Sequence, residues 1–259
     1  MWSLRVNTLK ISVENFKKLM KEKGWDFDQI PWIKEGFWVS SSELLSKTKE
    51  HSLGYYFLQD ASSMIPPLVL DPKPFDRILD LAASPGAKTT QMAAMMDNTG
   101  VIIANDIRHE RLKALRGNLQ RCGVTNTVVT KMWGENFWKS GLKFSKILLD
   151  APCTATGTMN PRILAETSVT SIRTLSNLQK KMIESASKVL TKDGFIVYST
   201  CSLEKEENEE NIQYAVEELG LKTVSIEVKN LDYSQTFENC IRVKPNEKRE
   251  GFFICKLRL

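Results

Sequence analysis

The chain has 259 residues, 42% of them hydrophobic and 26% charged, with a formal net charge of +5. That balance excludes a chain dominated by disorder and fits one large domain, or one domain with a small appendage. Five scattered cysteines without a Cys-x-x-Cys pair, and only two histidines, speak against a disulfide scaffold and a structural zinc site, and no apolar run is long enough to span a membrane.

In chain order, LRVNTL reads as a short strand and VENFKKLMKEKG as a helix stopped by Gly24. IKEGFWVS reads as another strand, so residues 1–55 are expected to form a small α/β domain. The prolines of DPKPFD then introduce an alternation. RILDLA, VIIAND, TNTVVTKM, KFSKILLDAP and GFIVYS read as strands. GAKTTQMAAMM, RHERLKALRGNLQRCG, SVTSIRTLSNLQKKMIESASKVL and KEENEENIQYAVEELG read as helices between or after them. TFENCIRV and GFFICKLRL suit a closing hairpin. Strands alternating with helices predict a mostly parallel sheet covered on both faces. Its binding crevice belongs beyond the carboxyl ends of the strands. DLAASPG, AND, DAPC and STCS all fall at that edge. The start MWSLRVNTLK lacks the apolar stretch of a secretory signal, so a cytoplasmic protein with reduced cysteines is expected.

LDLAASPGAKTTQ is a strand-to-helix turn that matches neither common phosphate-cradling pattern. Gly86 permits a tight turn or close ligand approach, and Ala82, Ala83 and Ser84 leave room beside the backbone. A nucleotide without phosphates, such as S-adenosylmethionine, suits that turn; packing alone is the other reading. Asp106 ends the next strand, where a carboxylate can accept ribose hydroxyls or cap the following helix. Arg111, one turn on, suits either an acidic partner or solvent.

DAPCTATG and YSTCSL resemble the paired cysteine motifs of the Nol/Nop/Sun family of RNA (cytosine-5) methyltransferases. LDLAASPGAKTTQMA resembles that family's cofactor loop. LRVNTLK, YYFLQDASSM and REGFFICKLRL extend the similarity over nearly the whole chain. It looks closest to the compact archaeal tRNA members. The resemblance implies a Rossmann-like class I methyltransferase fold over 56–259, with S-adenosylmethionine as cofactor and no metal. It implies that Ala82, Ala83, Ser84, Pro85, Gly86, Ala87 and Lys88 form the cofactor turn with Asp106, Arg111 and Asp150. It implies Cys201 as the thiolate that attacks cytosine C6 and Cys153 as the residue that resolves the methylated adduct. Asp150 is expected at the N3/N4 edge of the base, positioned by Lys88. A cysteine suits this chemistry because a thiolate is strongly nucleophilic and can leave again. The chain departs from the family in having Thr154-Ala155 where Ser-Gly is usual. It also has Trp133 near a position where the family often has Asp. Trp133 suits stacking on adenine or filling the core.

The resemblance further implies RNA as partner, with tRNA expected ahead of rRNA, and no obligatory protein partner. Arg5, Asn7, Gln59, Asp60, Arg162 and Arg242 are the expected RNA-facing residues. Trp25, Trp32, Phe37 and Trp38 fit either a base-stacking surface or the core of the small domain. Two other readings stand beside this one. Uracil and DNA cytosine C5 methyltransferases also use a cysteine adduct, and an RNA-binding or folding factor needs no catalysis.

Overall fold

The computed structural model describes residues 1–259. The chain begins with β1 (Trp2–Val6), α1 (Val13–Glu22), β2 (Asp26–Gln29), β3 (Gly36–Ser40), α2 (Lys49–Ser52) and β4 (Tyr56–Leu58). These strands form an antiparallel sheet in the order β2-β3-β1-β4. The Ser12 hydroxyl caps α1 by accepting from the Asn15 amide at 3.2 Å. Phe16 and Met20, four residues apart, place one face of α1 on a core that contains Leu4, Trp25, Phe37 and Tyr56. The sheet continues past residue 55, because β4 pairs with β1 through Leu4–Leu58 and Val6–Tyr56. Trp25 and Phe37 are thus core residues. Trp32 and Trp38 instead pack as an edge-to-face pair, with centroids 5.8 Å apart.

The remainder contains α3 (Ile65–Leu70), β5 (Arg77–Asp80), α4 (Ala87–Met95), β6 (Val101–Asn105), α5 (His109–Cys122), β7 (Thr127–Thr130) and β8 (Phe144–Asp150). It continues with α6 (Pro161–Glu166), α7 (Val169–Val189), β9 (Leu190–Thr200), α8 (Glu209–Glu217), β10 (Lys222–Val224), β11 (Ser234–Gln235), β12 (Ile241–Val243) and β13 (Phe252–Arg258). The second sheet runs β11-β12-β13-β9-β8-β5-β6-β7, with β10 also paired to β13. From β9 to β7 every pairing is parallel, and β13 closes antiparallel on β9.

Alternate residues explain why the central strands read as unbroken apolar runs. Ile147, Leu149, Ile196 and Tyr198 pack with Met182, Ile183 and Ala186 of α7 on one face. Leu148 and Val197 pack with Ile65 of α3 and Met92 of α4 on the other. Both faces are buried, so neither tolerates a polar alternation. Strand order reverses at β5, which lies between β6 and β8. The ends of β5, β6, β8 and β9 therefore surround one crevice. This is a Rossmann-like core with an N-terminal α/β unit. No helix is long and apolar enough to cross a membrane.

Candidate active site

The site follows from the adjacency of β8 and β9. Asp150 lies in register with Ser199, and each strand releases its chain at the same sheet edge. Cys153 and Cys201, one just beyond each strand, meet with Sγ atoms 3.4 Å apart. Asp150 stands beside them. Its Oδ1 accepts from the Ser199 hydroxyl at 2.8 Å, and its Oδ2 pairs with Lys88 Nζ at 2.6 Å. Lys88 arrives from the first turn of α4 and also donates to Ser63 Oγ at 2.8 Å. Its ammonium lies 5.3 Å from the centre of the Phe252 ring. The Lys88 side chain is 10% exposed and that of Asp150 29%, so the carboxylate is the partner with an open side.

The contact with Cys153 pushes the Cys201 thiol well up from its ordinary value. Burial and the Asp150 and Glu250 carboxylates act in the same direction. Without substrate, Cys201 is therefore held as a thiol. Glu250 is itself pushed up to about 7, by burial first and Asp60 second.

The cofactor turn is built from small residues. A cavity of about 30 Å³ is lined by Asp80, Ala82, Ala83, Ser84, Pro85, Ala87, Lys88 and Asp150. Gly86 has φ 102°, a conformation that favours glycine, and a Cβ there would stand 2.9 Å from the tip of the Leu115 side chain. Asp106 is 4% exposed; its Oδ2 accepts from the Ser84 amide at 3.3 Å and its Oδ1 from the Arg108 amide at 3.2 Å. It thus braces both the turn and the start of α5. Arg111 completes the brace by donating to Ser84 O at 2.7 Å, with its Nε 3.5 Å from Asp106. Asp80 is buried at the end of β5, accepts from Thr89 Oγ1 at 2.6 Å and is pushed up to about 7 by burial. Two buried carboxylates beside small residues suit a cationic nucleoside without phosphates, so these residues fit S-adenosylmethionine. No group of three or more His, Cys, Asp or Glu side chains is placed to hold a metal ion.

Several expected contacts lie elsewhere. Arg5 and Asn7 are 2% and 1% exposed, which removes them from an RNA track. Arg5 donates to Gln59 Oε1 at 2.9 Å, Thr90 Oγ1 at 2.8 Å and Ala87 O at 3.2 Å. Asn7 donates to Gly54 O at 2.9 Å and Cys122 O at 2.8 Å. Both join the small sheet to the larger unit. Gln59, also buried, shares the Arg5 contact. The Arg242 guanidinium is committed to Glu209 at 2.7 and 2.8 Å and to Leu203 O at 3.0 Å. Trp133 is 59% exposed and does not fill the core. Asp60 accepts from the Ser62 and Glu250 amides at 2.8 and 3.3 Å and lines a cavity of about 220 Å³ with Trp38, Met159 and Glu250. Arg162 is exposed and pairs with Glu166 at 2.8 Å.

The sequence reading passed over Glu207, Asn208 and Gln179, all fully buried next to the two thiols. The acidic run around Glu207 and Asn208 resembles a solvated helix, and their one signal was that they follow STCSL within a few residues; Gln179, inside α7, offered none. A cavity of about 690 Å³ lies between Arg5–Glu35 and Leu68–Asp97 and includes neither thiol. Converging chemical groups, not void size, locate the site.

Residues 67–258 match a family model described as 16S rRNA methyltransferase RsmB/F. Residues 1–61 match the N-terminal domain of 16S rRNA methyltransferase RsmF. The chain is 40% identical over 271 residues to ribosomal RNA small subunit methyltransferase F of Vibrio cholerae serotype O1 (strain M66-2), covering 99% of this chain and 57% of that protein. It is 41% identical over 270 residues to the protein of the same name from Shewanella oneidensis, covering 98% and 56%. The chain thus spans just over half the length of these relatives. Among solved structures, a methyltransferase homologue from Pyrococcus horikoshii superposes with TM-score 0.89 at 38% identity, covering 99% of this chain and 86% of that one. NSun6 from Pyrococcus horikoshii gives TM-score 0.91 at 28% identity, covering 99% and 90%. The bacterial rRNA relatives correct the expectation of a compact archaeal tRNA enzyme. The cysteine motifs report chemistry at the base; they carry no information about the RNA around it.

Proposed function

The chain belongs to the 16S rRNA methyltransferase RsmB/F family, and from that membership we propose that it methylates C5 of a cytosine in small-subunit rRNA. The observation that carries the C5 chemistry is the 3.4 Å contact of Cys153 and Cys201 beside the Lys88–Asp150 pair, and the rRNA substrate rests on the relatives alone. S-adenosylmethionine, held by Asp80, Asp106, Arg111 and the Ala82–Ala87 turn, supplies the electrophilic methyl group.

Cytosine C5 is a poor nucleophile. Addition of the Cys201 thiolate at C6 makes C5 electron-rich enough to take the methyl. Asp150, open on one side, holds the N3/N4 edge and shares a proton with N3 as negative charge builds on the ring. Lys88 fixes that carboxylate and is itself too enclosed to reach the base freely. After transfer, C5 carries a hydrogen and a methyl. Cys153, in contact with the attacking sulfur, takes that hydrogen as a proton once its own thiol has released its proton to solvent. The electron pair restores the C5–C6 double bond, the C6–S bond breaks, and Cys201 leaves as thiolate. As the base binds, the proton of the Cys201 thiol passes to the Asp150 carboxylate beside it, and this is the proton that Asp150 shares with N3.

Residues 1–55 orient the RNA, with Asp60 and Arg162 facing it from the larger unit. A helical cytosine leaves its stack to reach C6, at a cost of a few kcal/mol that phosphate contacts offset. On this reading the protein works in the cytoplasm, which is where its proposed RNA substrate would be met.

The test uses methyl-labelled S-adenosylmethionine and unmodified 16S rRNA, free and in small subunits, followed by nucleoside analysis. Labelled 5-methylcytidine is expected with the wild type and none with Cys201→Ala. Label in uracil or DNA would support the other cysteine-adduct enzymes. RNA binding without any labelled product would support the folding-factor reading.

A further inference from the structure

Neither sulfur is held by a direct polar contact other than the one they make with each other, yet the residues beside both are gripped by a single buried dipeptide. Glu207 and Asn208 are fully buried just before α8. On the Cys153 side, Glu207 accepts from the Thr154 amide at 3.1 Å and from the Thr154 hydroxyl. On the Cys201 side, it accepts from the Ser202 hydroxyl at 2.8 Å. Asn208 accepts from Thr200 Oγ1 at 2.6 Å and donates to Ser202 O at 2.9 Å. Gln179 of α7 closes the ring by donating to Pro152 O at 2.8 Å and Glu207 Oε2 at 2.7 Å. Thus Pro152 and Thr154 flank one thiol, Thr200 and Ser202 flank the other, and all four are tied.

A second observation separates this arrangement from ordinary helix structure. Asn208 occupies the N-cap of α8, where its side chain would normally accept from the helix amides and contribute about 1 kcal/mol. It makes no such cap bond, and its backbone sits at φ −117°, ψ −96°. The amide side chain is directed to the cysteine loop instead. Local helix stability is given up for a contact with the loop that carries Cys201.

We infer that Glu207 and Asn208 are positioning residues that set the separation of the two reactive sulfurs. Cys153 and Cys201 stand on separate loops that follow separate strands, and sheet pairing ends at Asp150 and Ser199. Beyond that point the loops touch directly through Gly157 N donating to Cys201 O at 2.9 Å, Leu203 N donating to Thr156 Oγ1 at 2.9 Å and hydroxyl contacts such as Thr154 Oγ1–Ser202 Oγ at 3.0 Å, and the clamp braces the residues beside both sulfurs from behind. Glu207 offers both oxygens to donors alone. In Glu207→Gln an amide N–H group would face another donor and open the clamp. The inference rests on the two-thiol methyl-transfer reading, so its test needs a readout independent of methylation.

That readout is disulfide formation between Cys153 and Cys201 in the full chain, driven by diamide. Two thiols become one disulfide as the azo reagent is reduced to the hydrazine, and the rate reports how often the sulfurs meet. Asn208→Ala, which changes no charge, and Glu207→Gln are each expected to slow cross-linking and lower kcat by about tenfold or more, with the KM for S-adenosylmethionine changed less than about twofold. Thr154→Val removes one hydroxyl leg and reads the same clamp should the buried variants fail to fold; Thr154→Ser should restore both rates. Wild-type cross-linking in the folded variants would overturn the inference, as would slowed cross-linking with unchanged kcat. If no methyl transfer occurs even in wild type, the methylation reading fails. The cross-linking rates still decide whether the clamp sets the sulfur separation.

Discussion

Arg5→Met separates a structural arginine from an RNA-binding one. The wild-type guanidinium is 2% exposed and donates to Gln59 Oε1, Ala87 O and Thr90 Oγ1. Removal leaves the three acceptors unequally affected. Thr90 Oγ1 already donates to Ala87 O at 2.9 Å, so these two retain each other. Gln59 Oε1 loses its charged donor within a buried junction. Hydrogen bonds to charged groups contribute about 1.5–3 kcal/mol each, and an orphaned acceptor costs about 1–3 kcal/mol. Relief of the guanidinium's desolvation offsets part of the loss. The expected net destabilisation is about 2–4 kcal/mol, so a urea slope near 3 kcal/mol/M would lower the midpoint by about 1 M. Urea unfolding followed by tryptophan fluorescence measures it. A phosphate-binding arginine would instead reduce the salt dependence of RNA affinity by about one ion. An unchanged midpoint together with that reduced slope would refute the structural assignment.

In Cys153→Ala, the principal cause of the elevated Cys201 thiol is gone. More thiolate is then present at a given pH. Each unit of lowering gives about tenfold more thiolate, tempered to roughly threefold in rate by lower intrinsic nucleophilicity. Iodoacetamide should therefore label Cys201 faster at pH 8, and the covalent RNA adduct should persist on denaturing gels; slower labelling would contradict this account. Glu250, pushed up to about 7, favours the native state in its protonated form. Its stabilising contribution is complete below the ordinary carboxyl range and is lost as pH rises through about 7. Glu250→Gln should gain stability relative to wild type between pH 5 and pH 8, and parallel unfolding profiles would count against the assigned shift.

Local chemistry was legible in the sequence wherever neighbours along the chain act together. Apolar runs ended by DLAASPG, AND, DAPC and STCS marked four strand ends, and helices between strands predicted the parallel order at the sheet centre. The closing apolar pair became β12 and β13, with β13 docked on β9. The Thr154-Ala155 departure also left a trace: Ala155 adopts φ 58°, a left-handed conformation that glycine takes more readily.

Long-range placement was not legible. Arg5 and Asn7 looked like polar residues on a strand because periodicity records a residue's face and not what later covers it. The junction with α4 and α5 buries them. Arg242 likewise carried a charge in the sequence, and only folding supplied Glu209. The acidic run through Glu207 suggested solvent, while the neighbouring loops enclosed it. The sequence by itself determined which groups could perform cysteine chemistry and that they end strands. Tertiary structure alone decided that β8 and β9 are neighbours, that Cys153 touches Cys201 and that Lys88 reaches Asp150. The physical reason is one of range: side-chain type and backbone period are local, whereas strand adjacency, burial and the partner of each charge depend on segments far apart in the chain.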